Sequence, residues 1–379
     1  MLTAEGCRQR RQRLWDQLEE KPDWILVSDP RHLNYLTGFY ASPFSFRSNG
    51  AGAVLILGRE GESILVTDNV LDVYADAAHV DEVVAHTWYD CSTTAPHRQA
   101  LLFENALERL KQCSGSVFGF EATVTPTAVV HGVSSERQGI RWYDIDPVLH
   151  RLKRQKDPDE LVLIQRAMDA GTAGFAAARE NVRAGMTEQD FYQVVLNAAI
   201  KEAGEPVILY GDFVSGPRTA EVGGPPTHRV IEKGDMLLLD CSVVVDGYRG
   251  DFANAWICEG TPTTEQQRRC DACLEAMRLA EAMLKPGTSC QEIHRAVEAS
   301  FEEKGLLELF PHHTGHGLGL GHPDAPFLVG GSLDTLLEGD IVTLEPGLYS
   351  EEVGGMRFEH NYLITAEGPQ QLSGHHLGL

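Results

Sequence analysis

The apolar runs DWILVSD, GAVLILG and ESILVTD are each short and closed by Gly, Asp or Pro, the pattern of buried strands. Polar, helix-like stretches such as VLDVYADAAHV and RQALLFENALERLKQ accompany them, so the first part of the chain reads as an α/β domain. HLNYLTGFYASPFSFRSNG is rich in aromatic and small residues and reads first as core and turn, with the lining of a cleft as the other option. At RLKRQKDPDE the pattern changes. Asp157 is a helix N-cap, Pro158 fits the first helical position, and Glu160 completes a capping box. The expected domains are therefore 1–155 and 156–379.

The second domain carries a short internal duplication. Each half has a long helix, a second helix led by RAGMTEQDF or KPGTSCQEI, and a strand pair, around residues 236–257 and 341–364. Gly185 corresponds to Gly287 and the caps Thr187 to Ser289, at an offset of 102, with Ser289 and Glu292 expected to form a capping box. Two helix-helix-hairpin units of this kind would pack about a pseudo-twofold axis and leave a site between the hairpins. The fold class is thus α/β (α+β).

Composition narrows the function. Of 379 residues 42% are hydrophobic, enough for two cored domains, and no apolar run approaches the roughly 18–20 residues that cross a bilayer. The formal charge of −23 repels nucleic acid and anionic membranes, leaving neither as an expected partner. No apolar stretch follows the charges of MLTAEGCRQRRQRLWDQLEE, so no secretory signal is read there and a cytoplasmic location is expected. The scattered cysteines suit reduced thiols, and Cys270 and Cys273 read as two positions on one helix face, not half of a zinc site.

The chemistry lies in the hairpins. In MLLLDCSVVVDGYRGDFANAWIC, a turn at Asp246-Gly247 sets Asp240 opposite Ala253 and Asp251 opposite Ser242, placing both aspartates on one face. In IVTLEPGLYSEEVGGMRFEHNYLI, a turn centred near Glu352 sets Glu345 opposite Glu359. Carboxylates buried among apolar strands repel one another unless protonated or bound to cations. HHTGHGLGLGHPDAP adds His316, with Gly315, Gly317, Gly319 and Gly321 expected to let backbone approach a bound group. Such a donor set suits two divalent ions, Mn, Co or Zn, about 3.5–4 Å apart, with a bridging hydroxide as nucleophile.

These residues resemble the metal-binding pattern of the pita-bread metallopeptidases: prolidase, aminopeptidase P and methionine aminopeptidase. The matched segments are LDCS, GDFA, GHGLG, LEPGLY and RFEHN. The resemblance implies that Asp240 and Asp251 hold one ion and His316 and Glu359 the other, with Asp251, Glu345 and Glu359 bridging. It also implies Glu345 as general base, His312 and His322 as stabilisers of the tetrahedral intermediate, and Arg357 as a substrate-side group. WILVSDPRHLNYLTGF resembles the creatinase-like N-terminal domain of the prolidase and aminopeptidase P branch, which methionine aminopeptidases lack. That branch implies a homodimer, a small proline-containing peptide as substrate, and cleavage of Xaa-Pro bonds.

Around the metal residues the chain departs from the family. Gly223 stands where a histidine is usual, with His228 five positions later. Ala253 and Asn254 replace a hydroxyl and a guanidinium, His360 replaces an acid, and His322 lies one residue early. These changes leave two alternatives: a metal-dependent hydrolase or lyase of a small non-peptide substrate, or a catalytically weakened homologue.

Overall fold

In the computed structural model, which describes all 379 residues, the chain divides into two units, Met1–Lys153 and Arg154–Leu379. In the first, the three apolar runs are β1 (Trp24–Val27), β2 (Val54–Gly58) and β3 (Ser63–Asp68). With β4 (Glu82–His86), β5 (Val117–Phe120) and β6 (Arg141–Asp144) they form one sheet, ordered β4-β3-β2-β1-β5-β6. Leu26, Val54, Ile56, Ile64, Val66 and Phe118, alternate positions along their strands, present one apolar face. Leu102, Ala106 and Leu110 pack on it from α4 (Arg98–Lys111), as do Val129 and Val133 from α5 (Thr127–Glu136). The remaining helices of this unit are α1 (Ala4–Gln17), α2 (Pro30–Thr37), the single turn α3 (Asp72–Ala75) and α6 (Asp146–Leu152). The aromatic segment read as core and turn divides in two. Leu33, Tyr35, Leu36 and Phe39 are buried on and after α2, whereas Phe44 and the fully exposed Phe46 stand on the loop that follows. The loop's single 3₁₀ turn, Phe46–Ser48, buries none of its residues.

In the second unit α7 (Pro158–Asn181) starts as its sequence dictates: Asp157 and Glu160 close a reciprocal capping box around Pro158. Together with α8 (Glu188–Ala203) it packs on the antiparallel sheet of β7 (Ile208–Ser215), β8 (Met236–Val245) and β9 (Tyr248–Ile257). The contact between α7 and β9 is close because Gly171 lies against the Phe252 ring, where a Cβ would sit 2.1 Å from ring carbon. In the second half, α9 (Thr264–Ala282) and α10 (Cys290–Glu303) pack together over the other strands. Those strands are β10 (Gly315–Gly317), β11 (Asp324–Leu328), β12 (Ile341–Leu344), β13 (Gly347–Ser350), β14 (Gly354–Arg357), β15 (His360–Thr365) and β16 (Gly368–Gln371). Cys270 and Cys273 face this core beside Ala276 and Met277, as free buried thiols.

The duplication is visible in detail. Gly185 and Gly287 both adopt positive φ, and the caps Thr187 and Ser289 each form an isolated bridge, to Val230 and Thr335. The expected capping box at Ser289 is only half formed: its hydroxyl accepts from Glu292 N, but Ser289 N does not donate back to the Glu292 carboxylate. At Thr187 the box is complete, the Asp190 carboxylate accepting from Thr187 N and the Thr187 hydroxyl accepting from Asp190 N. No helix is long and apolar enough to cross a membrane.

Candidate metal centre

The hairpin of β8 and β9 turns at Asp246 and Gly247, with φ of 49° and 87°, the two positive angles a type I′ turn requires. That turn fixes the register, with Asp240 opposite Ala253 and Ser242 opposite Asp251. In the second hairpin Ile341–Leu344 pairs with His360–Leu363, and Gly347–Ser350 with Gly354–Arg357, in one continuous register. Glu345 and Glu359 face each other where the ladder breaks at Pro346. The two hairpins are joined at this point. Glu359 N donates to Ala253 O at 2.9 Å, and the Asn361 side chain donates to Asp251 O.

Asp240, Asp251, His316, Glu345 and Glu359 thereby line one cavity of about 260 Å³, together with Asp212, Val222, His312, His313, His322, Pro323 and Arg357. His316 is carried on β10, where Gly315 and Gly317 have a packing task. A Cβ at Gly315 would meet Thr343 O at 2.0 Å and one at Gly317 would meet Ala325 O at 2.1 Å. The glycines let β10 lie tightly between its neighbouring strands. The His316 Nδ1–H donates to Gly317 O at 2.9 Å, which leaves Nε2 facing Glu345 at 3.4 Å and Asp251 at 3.7 Å.

Electrostatics separate the carboxylates. Burial, with repulsion from Asp251, Glu345 and Asp240, pushes the Glu359 carboxyl well above its ordinary range. Burial likewise raises Asp240 to about 7, against the opposing charge of Arg357. For Asp251 burial is outweighed by the hydrogen bond and charge of His322, whose Nε2 lies 2.8 Å from Oδ2, and the pKa falls. For Glu345 burial is outweighed by His313, whose Nε2 lies 3.0 Å from Oε1, and by the charge of His316. Burial holds His312 down at about 4, its Nε2 3.0 Å from the Tyr349 hydroxyl.

These residues fit divalent cations. The Glu359 Oε1 is buried with no hydrogen-bond partner, at the place where like charges converge. Three clusters bring candidate ligand atoms within 4.8 Å of one another: Asp240 with Glu345 and Glu359; His313 with His316 and Glu345; Asp251 with His316 and His322. Carboxylate oxygens with a few imidazoles suit hard and borderline divalent ions.

Several residues stand elsewhere than expected. Ala253 and Asn254 are fully buried and neither lines the cavity; the Asn254 Oδ1 accepts from Gly378 N. His228 is exposed and does not reach the cavity, and His360 turns away to His375 O. Arg357 lines the cavity but spends its donors on protein. Nε bonds Asp240, Nη1 bonds Tyr349 OH at 2.7 Å and Val222 O at 3.2 Å, and Nη2 bonds Asp212 at 2.9 Å. Asp212, His313 and Tyr349 were not singled out from sequence. Of these His313, inside HHTGH, and Tyr349, which closes LEPGLY, carry a local signal, and Asp212 carries none.

The metallopeptidase family M24 matches residues 162–366, and the creatinase/prolidase N-terminal domain matches residues 10–154. A Xaa-Pro dipeptidase of Pyrococcus horikoshii is 28% identical over 356 residues, covering 93% of this chain and 92% of that protein. The Xaa-Pro dipeptidase of Pyrococcus furiosus is 28% identical over 277 residues, covering 72% and 77%. Among solved structures, the prolidase from Pyrococcus horikoshii OT3 superposes with a TM-score of 0.83 at 21% identity, covering 98% of this chain and 99% of that one. The Xaa-Pro dipeptidase from Bacillus anthracis gives 0.83 at 23% identity, covering 99% of each chain.

Proposed function

The chain belongs to metallopeptidase family M24, and from that premise we propose that it is a dinuclear-metal hydrolase cleaving Xaa-Pro bonds of small peptides. The observation that carries the reading is the convergence of Asp240, Asp251, His316, Glu345 and Glu359 on one cavity, with the Glu359 Oε1 buried and partnerless. The Xaa-Pro dipeptidases among its relatives support the substrate class. Two divalent ions, Mn, Co or Zn, held by those five residues would supply a hydroxide nucleophile at neutral pH and polarise the scissile carbonyl.

The chain's own residues do the rest. Glu345, kept ionised by its imidazole neighbours, accepts the proton of the attacking water as general base and returns it to the leaving amine. His322, beside Asp251, is a donor to the oxyanion. His312, held neutral by burial, binds substrate through the ring nitrogen that now faces Tyr349. Arg357 acts as a positioning residue, fixing Asp240 by the bond from Nε. A homodimer and a cytoplasmic location belong to the same reading, the latter supported by eight free cysteines.

The test is metal reconstitution followed by a panel of X-Pro dipeptides, X-Pro tripeptides and non-proline controls. Two ions per chain with X-Pro cleavage is the expected result. A fully loaded preparation that cleaves no X-Pro bond defeats the peptidase assignment, and saturation at one ion defeats the dinuclear one. The carboxylate of Asp212 beside Gly223 favours one second reading, a small non-peptide substrate on the same metal centre.

A further inference from the structure

The space beside Gly223 is filled by Asp212. A Cβ at position 223 would lie 2.0 Å from the Asp212 Oδ2, so no residue but glycine fits while that carboxylate stays. Asp212 arrives from β7, directly opposite Asp240 in the register of β7 and β8, and reaches the cavity wall with its side chain 31% exposed. It is held there from two sides, by Gly224 N at 2.8 Å and by Arg357 Nη2 at 2.9 Å. Val222 adopts φ 75°, an outlier for a β-branched residue, and its carbonyl accepts from Arg357. Strain is thus stored where the chain bends around this pair.

The consequence concerns charge. Four of the five Arg357 N–H groups are taken by Asp240, Tyr349, Val222 and Asp212. The one guanidinium lining the cavity is therefore shared between two carboxylates and offers no free fork to a substrate carboxylate. The exposed group on this wall is an acceptor with negative charge.

We infer that Asp212 is a specificity-determining residue, which withholds Arg357 from substrate and makes this wall favour an ammonium group over a carboxylate. The inference rests on the peptidase reading above and sharpens it: the enzyme takes peptides that carry a cation, and no free carboxylate, against Asp212. Either the α-ammonium or a basic side chain supplies that cation.

The test compares the metal-loaded wild-type chain with Asp212→Asn and Asp212→Ala. Substrates are matched pairs: Ala-Pro and Ala-Pro amide, free and N-acetylated Ala-Pro amide, and Lys-Pro amide against norleucyl-Pro amide. Calorimetric binding of prolinamide and proline is measured in parallel, and the metal-induced rise in melting temperature checks that each variant folds.

Wild type is expected to prefer the amide over the acid by about 10–100-fold in kcat/KM, and D212N to shrink that ratio at least about tenfold. Loss of preference in the acetylated pair assigns the cation to the α-ammonium, and loss in the lysine pair assigns it to a side chain. Ratios unchanged within twofold in a folded D212N overturn the inference while leaving the peptidase reading intact. No cleavage of any X-Pro bond, with prolinamide still bound over proline in wild type and not in D212N, does the reverse. If neither ligand binds the loaded chain, the inference falls.

Discussion

Replacing Glu359 by Gln separates what this side chain does for folding from what it does for metal. The side chain is 1% exposed, its Oε1 has no partner, and its carboxyl is held well above the ordinary range by burial and three neighbouring carboxylates. A raised carboxyl pKa contributes stability that is complete below the unfolded value and is lost as pH rises through the folded one. Gln carries no proton to lose, and its amide can donate to an adjacent carboxylate.

In the metal-free chain E359Q is therefore expected to match wild type at pH 4 and to exceed it at pH 8, by on the order of 1–3 kcal/mol. With metal the sign reverses. An ion at one hundred times its dissociation constant stabilises the folded state by about 2.7 kcal/mol, or about 5–10 °C in a domain of this size. A hundredfold loss of affinity cuts that to about 0.4 kcal/mol. The assay is thermal melting of both proteins in EDTA and in saturating Mn²⁺ or Zn²⁺, at both pH values. The reasoning fails if E359Q without metal is several kcal/mol less stable than wild type at pH 8. It also fails if E359Q keeps the full metal-induced shift.

Three other outcomes are expected. His322→Ala should lower kcat/KM by about 10²–10³-fold while leaving the metal-induced melting shift in place; loss of the shift would show instead that His322 joins Asp251 and His316 as a ligand. For metal-free protein, the displacement of Asp240 from the ordinary aspartate value to about 7 corresponds to at most about 4 kcal/mol. By linkage that stability is present below pH 4 and lost as pH rises to about 7, so urea denaturation of Asp240→Asn in EDTA should show a shallower loss over that window than wild type. Gly171→Ala should cost about 1–3 kcal/mol in urea denaturation, because its Cβ would stand 2.1 Å from the Phe252 ring and push the strand that carries Asp251.

The sequence by itself determined the centre of the site. The tight turn at Asp246-Gly247 sets the register of its hairpin locally, and one symmetric register about Glu352 runs through both parts of the second. The positions of Asp240, Asp251, Glu345 and Glu359 could therefore be read from spacing. The cap at Asp157 was legible because its partners lie within three residues, and the duplication because the same local glycine and cap signals recur 102 positions apart.

Only the tertiary structure decided what surrounds those carboxylates. Asp212 meets Asp240 because β7 pairs with β8, but the connection from Gly216 to Asp235 is long and irregular and fixes no register. His322 reaches Asp251 although it comes one residue early, and His228, near Gly223 in sequence, stays outside the cavity. Arg357 sits at the cavity, yet its partners come from Asp212, Val222, Asp240 and Tyr349, brought together from separate strands and loops. Local turns specify which carboxylates converge. Long-range packing specifies which charged groups stand beside them: Asp212 and Arg357 reach the same wall from β7 and β14, a pairing that no local turn encodes.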